Sequence, residues 1–383
     1  MTSRPDVLAY YFPHWHSDPR DSAWFGPGWN EWELVKKATP RFSMHRQPRV
    51  PALGYSDESD PATMAGESAL AWKHGIDGFI YDFYWYEDGP YLQRALDVGF
   101  LAADVAEGFS FSLMWANHDL VDLYPLTAPP EEAPPRLLRK GEVSRVAFDR
   151  MATTVVSRYF SREDYYRVDG KPFFSVYELA TLIAGLGGVD ETLDALSDFE
   201  AKAVRAGHPG IHFDAVVWGV GVLPGSRGLA DPSTMVGRLP FATASSYTWC
   251  HHVDLLAQPF PLGDWDEVRR HTYAQYEQYP RLLGLPFIPN ISVGWDCSPR
   301  TSAGLSWEPR KGYGWTPVFE CAVDTIKSAA RDARSILRAQ AAAGAPQIVT
   351  VNAWNEWTEG SYLMPDSDRG LELLATLSEC FPR

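Results

Sequence analysis

The chain of 383 residues is poor in cysteine, with only Cys250, Cys297, Cys321 and Cys380. None lies in a C-x-x-C pair, so the spacing supports neither a zinc site nor a disulfide framework, and free thiols in a reducing compartment are expected. Basic residues are also scarce: 34 Lys and Arg stand against 49 Asp and Glu, a net charge of −15. Nucleic acid and anionic membrane both demand a basic face, so neither is expected as a partner. No apolar run is long enough to span a bilayer, and Met1–Asp6 carries no signal-type core, which gives a cytoplasmic expectation. A glycine-rich phosphate turn after an early strand is missing too, which argues against an open dinucleotide-binding sheet. The one glycine cluster, Gly185-Leu186-Gly187-Gly188, is expected in a loop. There is no G-x-S-x-G elbow and no cysteine in an activating setting, so serine or cysteine nucleophiles have no support.

Tryptophan, by contrast, is abundant: 15 residues in a chain that is 14% aromatic. Some must be core, but an excess of indole fits an aromatic-lined cleft of the kind sugars stack in. Short β-branched or aromatic runs alternate with longer amphipathic ones. Expected strands are Val7–Tyr11, Gly78–Phe83, Phe109–Trp115, Pro172–Tyr177, Ala215–Val220, Phe241–Tyr247, Phe287–Val293 and Ile348–Asn352. Between them lie expected helices at Pro61–His74, Tyr91–Ala106, Val143–Tyr159, Glu191–Ala206, Trp265–Leu283 and Val323–Ala343. Asp60 with Pro61 opens the first as a cap and a first-turn proline. Eight strands alternating with helices predict a (β/α)8 TIM barrel, read as a single domain over residues 1–383, with long loops at its C-terminal face. Two such loops are Pro13–Asp60 and Pro125–Lys140.

Catalytic groups of a barrel stand where its strands end at that face. Followed to their ends, the strands supply Tyr11, His14 and His16, then Asp82, Tyr84 and Trp85, then Trp115, Asn117 and His118. Further along come Tyr177, Tyr247, His251, His252, Trp295 and Asp296, and finally Asn352, Trp354, Glu356, Trp357 and Glu359. Glu356 and Glu359 are three apart, so a helical turn would aim both the same way. Paired carboxylates whose pKa values are pushed apart are the working groups of glycoside hydrolysis. A plain alternative is a solvated pair at a helix start, where Glu is favoured anyway. Trp-Asn-Glu-Trp occurs twice, at 29–32 and 354–357, which places Glu31 as a candidate for the same cleft. The expected substrate contacts are Tyr11, His16, Glu31, Asp82, Tyr84, Trp85, Trp115, Asn117, Tyr247, Trp295, Asn352, Trp354 and Trp357; Asp82 could equally be a buried hydrogen-bonded carboxylate. His14 and His16 lack an evident third ligand, so no metal and no cofactor is expected.

These residues also carry a family resemblance. Tyr11-Phe12-Pro13-His14-Trp15-His16, Gly28-Trp29-Asn30-Glu31-Trp32, Gln47-Pro48-Arg49, Gly75-Ile76-Asp77-Gly78-Phe79, Trp115-Ala116-Asn117 and Asn352-Ala353-Trp354-Asn355-Glu356-Trp357 together resemble WbsX-type proteins, in order along the chain. That family is often labelled glycosyltransferase, and its barrel and E-W-x-E segment are similar to glycoside hydrolase family 99, the endo-α-mannosidases. The resemblance implies retaining cleavage of an α-linked sugar, mannose-type by default, in an oligosaccharide or glycoconjugate. It further implies a substrate-assisted route through a 1,2-anhydro sugar, with Glu356 as base toward the 2-hydroxyl and Glu359 as acid and then base. Met364 and His118 depart from the residues usual in relatives, and a Pro/Glu-rich loop replaces a basic one. Transfer from a nucleotide-sugar and a non-catalytic carbohydrate-binding barrel stay open as alternatives.

Overall fold

A computed structural model describes residues 4–220 and 236–383. The strands are β1 (Asp6–Tyr11), β2 (Gly78–Tyr86), β3 (Ser110–Trp115), β4 (Lys171–Val176), β5 (His212–Val216), β6 (Phe241–Ser245), β7 (Phe287–Ile288), β8 (Asn290–Ser292) and β9 (Ile348–Asn352). All pair in parallel. β7 pairs with β6 while β8 pairs with β9, so the run 287–292, interrupted at Pro289, closes the barrel. The expected (β/α)8 TIM barrel is therefore the observed architecture.

Among the described residues, the helices of ten residues or more around the strands are α1 (Pro61–Lys73), α2 (Arg145–Thr154), α3 (Val189–Arg205), α4 (Trp265–Tyr276) and α5 (Val323–Ala341). Asp60 caps α1 by accepting from the Ala62 amide, as its position before Pro61 predicts. The expected helix Tyr91–Ala106 is helical only over residues 95–102, and not as an α-helix. Tyr91 instead ends a short strand, Gly89–Tyr91, that folds back on β2, and a π turn and a 3-10 turn come after it. Strand five begins and ends earlier than Ala215–Val220, because His212 and Phe213 pair with β4. Gly185 and Leu186 end a helix, Leu179–Leu186, rather than lying in a loop, and Gly187 closes it in the left-handed conformation. The Pro13–Asp60 connection holds two short helices, Pro19–Phe25 and Trp32–Lys37. Among the described residues, no helix is long and apolar enough to cross a membrane.

Alternation along the strands separates two cores. Leu8, Tyr10, Ile80, Met114, Phe173, Val216 and Ile288 fill the barrel, whereas Val7, Ala9, Tyr11, Phe79, Tyr81, Leu113 and Phe174 pack against the helices. Inside the barrel Asp214 accepts from Ser175, Thr243 and Ser245. In the outer layer Glu67 of α1 is buried and accepts from Trp354 Nε1 at 2.9 Å. Burial pushes Glu67 up to about 8.

A carboxyl raised in the folded state binds its proton more tightly there than in the unfolded chain. Its contribution to stability is full below the unfolded pKa and is lost as pH rises through the folded value. Stability should therefore decline between about pH 4.5 and pH 8, by up to about 1.4 kcal/mol per unit. Thermal melts across that range should show the decline in the wild type and a flatter curve in Glu67→Gln.

Candidate active site

At the C-terminal ends of the strands a cavity is bounded by Phe12 and His14 after β1, Asp82 and Tyr84 on β2, and Met114 on β3. His118, Tyr177, Tyr247 and His251 come from the loops after later strands, and Trp295, Arg300, Glu356 and Glu359 complete it. The segment bearing the two glutamates is a tight hairpin. Asn355–Glu356 pairs antiparallel with Ser361–Tyr362, and Trp357–Glu359 forms a 3-10 turn between them. In such a turn residues i and i+3 eclipse, so Glu356 and Glu359 project to the same side. Gly360 closes the turn at φ 67°, and a Cβ there would lie 2.8 Å from the Asp296 nitrogen, so glycine is required on both counts. Asn355 fastens the hairpin to the barrel by accepting from the Phe12 amide and donating to its carbonyl.

The two carboxylates sit in different surroundings. Glu359 Oε1 accepts from Tyr313 Oη at 2.6 Å and from Arg300 at 3.0 Å. Arg300 is fully engaged behind it, donating to Tyr313, Thr358 and both oxygens of Glu31. Its guanidinium also lies over the rings of Phe12 and Tyr124. Glu31 in turn meets His14 Nδ1 at 3.0 Å, and His14 Nε2 meets Asp21 at 2.9 Å. Burial opposes charge on His14, but Asp21 and Glu31 together outweigh it and lift the imidazole to about 10. The result is a buried chain of alternating charge from Glu359 through Arg300, Glu31 and His14 to Asp21.

Among the described residues, no guanidinium forms an ion pair with Glu356. Its Oε2 accepts from Tyr247 Oη at 2.8 Å and from Asn352 Nδ2 at 3.5 Å. Burial, then Glu359 and Asp82, raise it well above the usual carboxylate range, with Arg300 and Tyr247 opposing. Asp82 is raised in the same way, first by burial and then by Glu359. Two imidazoles of the cavity are shifted against the cation: burial lowers His118, and burial with His252 lowers His251 well below 6.5.

Of the expected site residues, the cavity gathers Asp82, Tyr84, Tyr247, Trp295, Glu356 and Glu359. Glu31 and Asn352 lie one layer behind, Glu31 holding Arg300 and Asn352 facing Glu356. The others are not among the residues lining the cavity. Tyr11 faces Met64 and Glu67 in the helix layer, and Trp354 donates to that same Glu67. Trp115 packs on Phe148 and donates to the Trp85 carbonyl, with Trp85 itself in the outer core. Trp357 stacks on Tyr362 with centroids 3.8 Å apart. His16 meets Glu58 at 2.7 Å, and Asn117 bridges to the Glu178 backbone in both directions. Period two explains most of this: Met114 and Asp82 point inward, so their neighbours Trp115 and Phe83 point outward. Arg300, Tyr313 and Tyr124 are absent from the sequence expectation. Only charge balance could have signalled Arg300, since buried carboxylates require a cation somewhere.

Removing that cation leaves Glu359 buried without its countercharge and Glu31 with His14 alone. Arg300→Met should cost about 3–5 kcal/mol of unfolding free energy, measured by urea denaturation.

Known proteins share this architecture. Two proteins named WxcX, from two strains of Xanthomonas campestris pv. campestris, are each 28% identical over 391 residues, covering 98% of this chain and 50% of their own. The chain thus spans about half the length of the curated relatives it matches. Among solved structures, a GH99 endo-alpha-mannosidase from Bacteroides thetaiotaomicron superposes with a TM-score of 0.57 at 12% identity, over 99% of this chain and 97% of that one. A glycoside hydrolase-like protein gives 0.61 at 13% identity, over 99% and 94%. Both likenesses concern the fold. The family model described as Glycosyltransferase WbsX matches residues 7–377, and the chain belongs to that family.

Proposed function

We propose that this carbohydrate-active barrel is a glycoside hydrolase that cleaves an α-linked sugar with retention, assisted by the substrate's own 2-hydroxyl. The observation that carries the reading is a pair of carboxylates on one turn with unlike partners: Glu359 on Arg300 and Tyr313, Glu356 on Tyr247. A carboxylate raised toward the working pH is a stronger proton acceptor than an ordinary Glu. In the proposed first step Glu356 takes the 2-hydroxyl proton, O2 bonds to C1, and the glycosidic C1–O bond breaks as Glu359 protonates the departing oxygen. In the second, Glu359 takes a proton from water, the water oxygen bonds to C1, the C1–O2 bond opens, and Glu356 returns its proton to O2. No protein nucleophile is needed. A mannose-type sugar is the default, and the glycan is an oligosaccharide or glycoconjugate.

Glu356→Gln and Glu359→Gln should each lower kcat by about 10²–10⁴-fold on glycans with poor leaving groups. A substrate methylated at the 2-oxygen should be inert, and the first anomer seen by NMR should be α. Wild-type-like turnover in either variant, or cleavage of the methylated substrate, would sink the mechanism.

A second reading, transfer from a nucleotide-sugar, comes from the family's description. The cavity's charge favours hydrolysis: Arg300 is bound to Glu31 and Glu359, and both nitrogens of His14 face carboxylates. A diphosphate would find acidic groups at Asp82, Glu356 and Glu359 instead of free cationic donors. Calorimetry with a panel of nucleotide-sugars should show no binding; tight binding by any one of them would favour transfer.

A further inference from the structure

Tyr247 stands between two buried carboxylates. Its Oη lies 3.0 Å from Asp82 Oδ2 and 2.8 Å from Glu356 Oε2, and all three side chains are nearly without solvent exposure. A phenol has one proton and can donate to only one of the two. The other contact is a hydrogen bond only if that carboxyl itself holds a proton and donates it to the phenol oxygen. The geometry therefore calls for one proton on the Asp82/Glu356 pair.

The surroundings decide which carboxyl keeps it. Glu356 receives the Asn352 amide and feels the Arg300 guanidinium, both of which favour its anion. Asp82 has neither, and its Oδ1 has no hydrogen-bond partner among the described residues. The other ionisable groups felt by the pair are Tyr10 on β1, Tyr84 on β2, Tyr177 after β4 and Glu359. His251, which stacks on Tyr247, is pushed well below 6.5 by burial. None of these supplies a positive charge to Asp82.

We propose that Asp82 is a neutral carboxylic acid in the working enzyme, donating to Tyr247, which donates to Glu356 and holds it as an oriented anion. Asp82 is then a positioning residue acting through Tyr247, and its charge is not used by the substrate. The inference rests on the reading of Glu356 as the base. Only O–H protons are involved: a shift of the shared proton from Glu356 to Asp82 moves one proton onto Tyr247 and one off it, with no change in net charge.

An asparagine can replace a neutral acid as donor to the phenol oxygen, whereas an alanine cannot. On a glycan that the wild type cleaves, Asp82→Asn should keep a kcat/KM at least about tenfold above that of Asp82→Ala, a difference of one donated hydrogen bond. Equal losses in the two variants would overturn the proposal, since they would mean that the carboxylate charge is required. Infrared difference spectra on the substrate-free protein near neutral pH form the second arm. Glu67, raised to about 8, and Glu359, the acid of the proposed function, also hold carboxyl protons, so the reading is by difference: one protonated-carboxyl stretch of the wild type should persist in Glu356→Gln and vanish in Asp82→Asn. A band lost in Glu356→Gln but kept in Asp82→Asn would put the proton on Glu356 and overturn the assignment. The spectra need no turnover, so they decide the proton even if no glycan is hydrolysed and the reading of the site as a hydrolase fails.

Discussion

Everything at the cavity leans on one buried cation. Arg300 comes from a 3-10 turn after β8, and its guanidinium joins Glu31, Thr358, Tyr313 and Glu359. Buried charges are tolerated only when paired and hydrogen-bonded. Arg300 therefore makes it possible to keep Glu359 beside the cavity and Glu31 fully enclosed. His14 and Asp21 extend the same alternation outward, so the strength of the field at Glu359 is set four side chains deep.

Glu356 lies three residues away under different rules. Its partners are a phenol and an amide, and the Coulomb effect of Glu359 adds to burial. Two chemically identical side chains on one turn are thus made unlike by what faces them, the usual basis for dividing acid and base work. The required glycine at 360 and the two-way clamp from Asn355 keep the turn rigid enough for that difference to hold.

Much of the barrel was legible because parallel strands buried on both faces read as apolar runs and each helix ended on glycine or began on a cap. Ile348–Asn352 was located to the residue, and Pro61–His74 to within one. The shortening of Tyr91–Ala106 has a local cause: Gly89 and Pro90 turn the chain back against β2, and only residues 95–102 are helical, as π and 3-10 turns. The glutamate pair was legible because motif and strand end coincide. Aromatic composition misled, since Trp85, Trp115, Trp354 and Trp357 serve the outer core. One residue of register decides between cavity and core, and composition carries no register. Arg300 was invisible for a different reason: its role exists only through residues as far as 269 positions away.

The way the hairpin is fastened has a consequence for how the molecule comes into being. Phe12 and Asn355 clasp each other across 343 positions, and β1 takes its place beside β9. During synthesis Glu31, Asp82 and Tyr247 emerge long before either glutamate of the pair, and Arg300 waits without Glu359. Contacts so remote in the chain carry a high loop-closure cost and form late. A ribosome-bound chain short of residue 359 can settle most of its helices and strands and still lack the paired glutamates, so the charge arrangement of the cavity is completed only with the closing of the barrel.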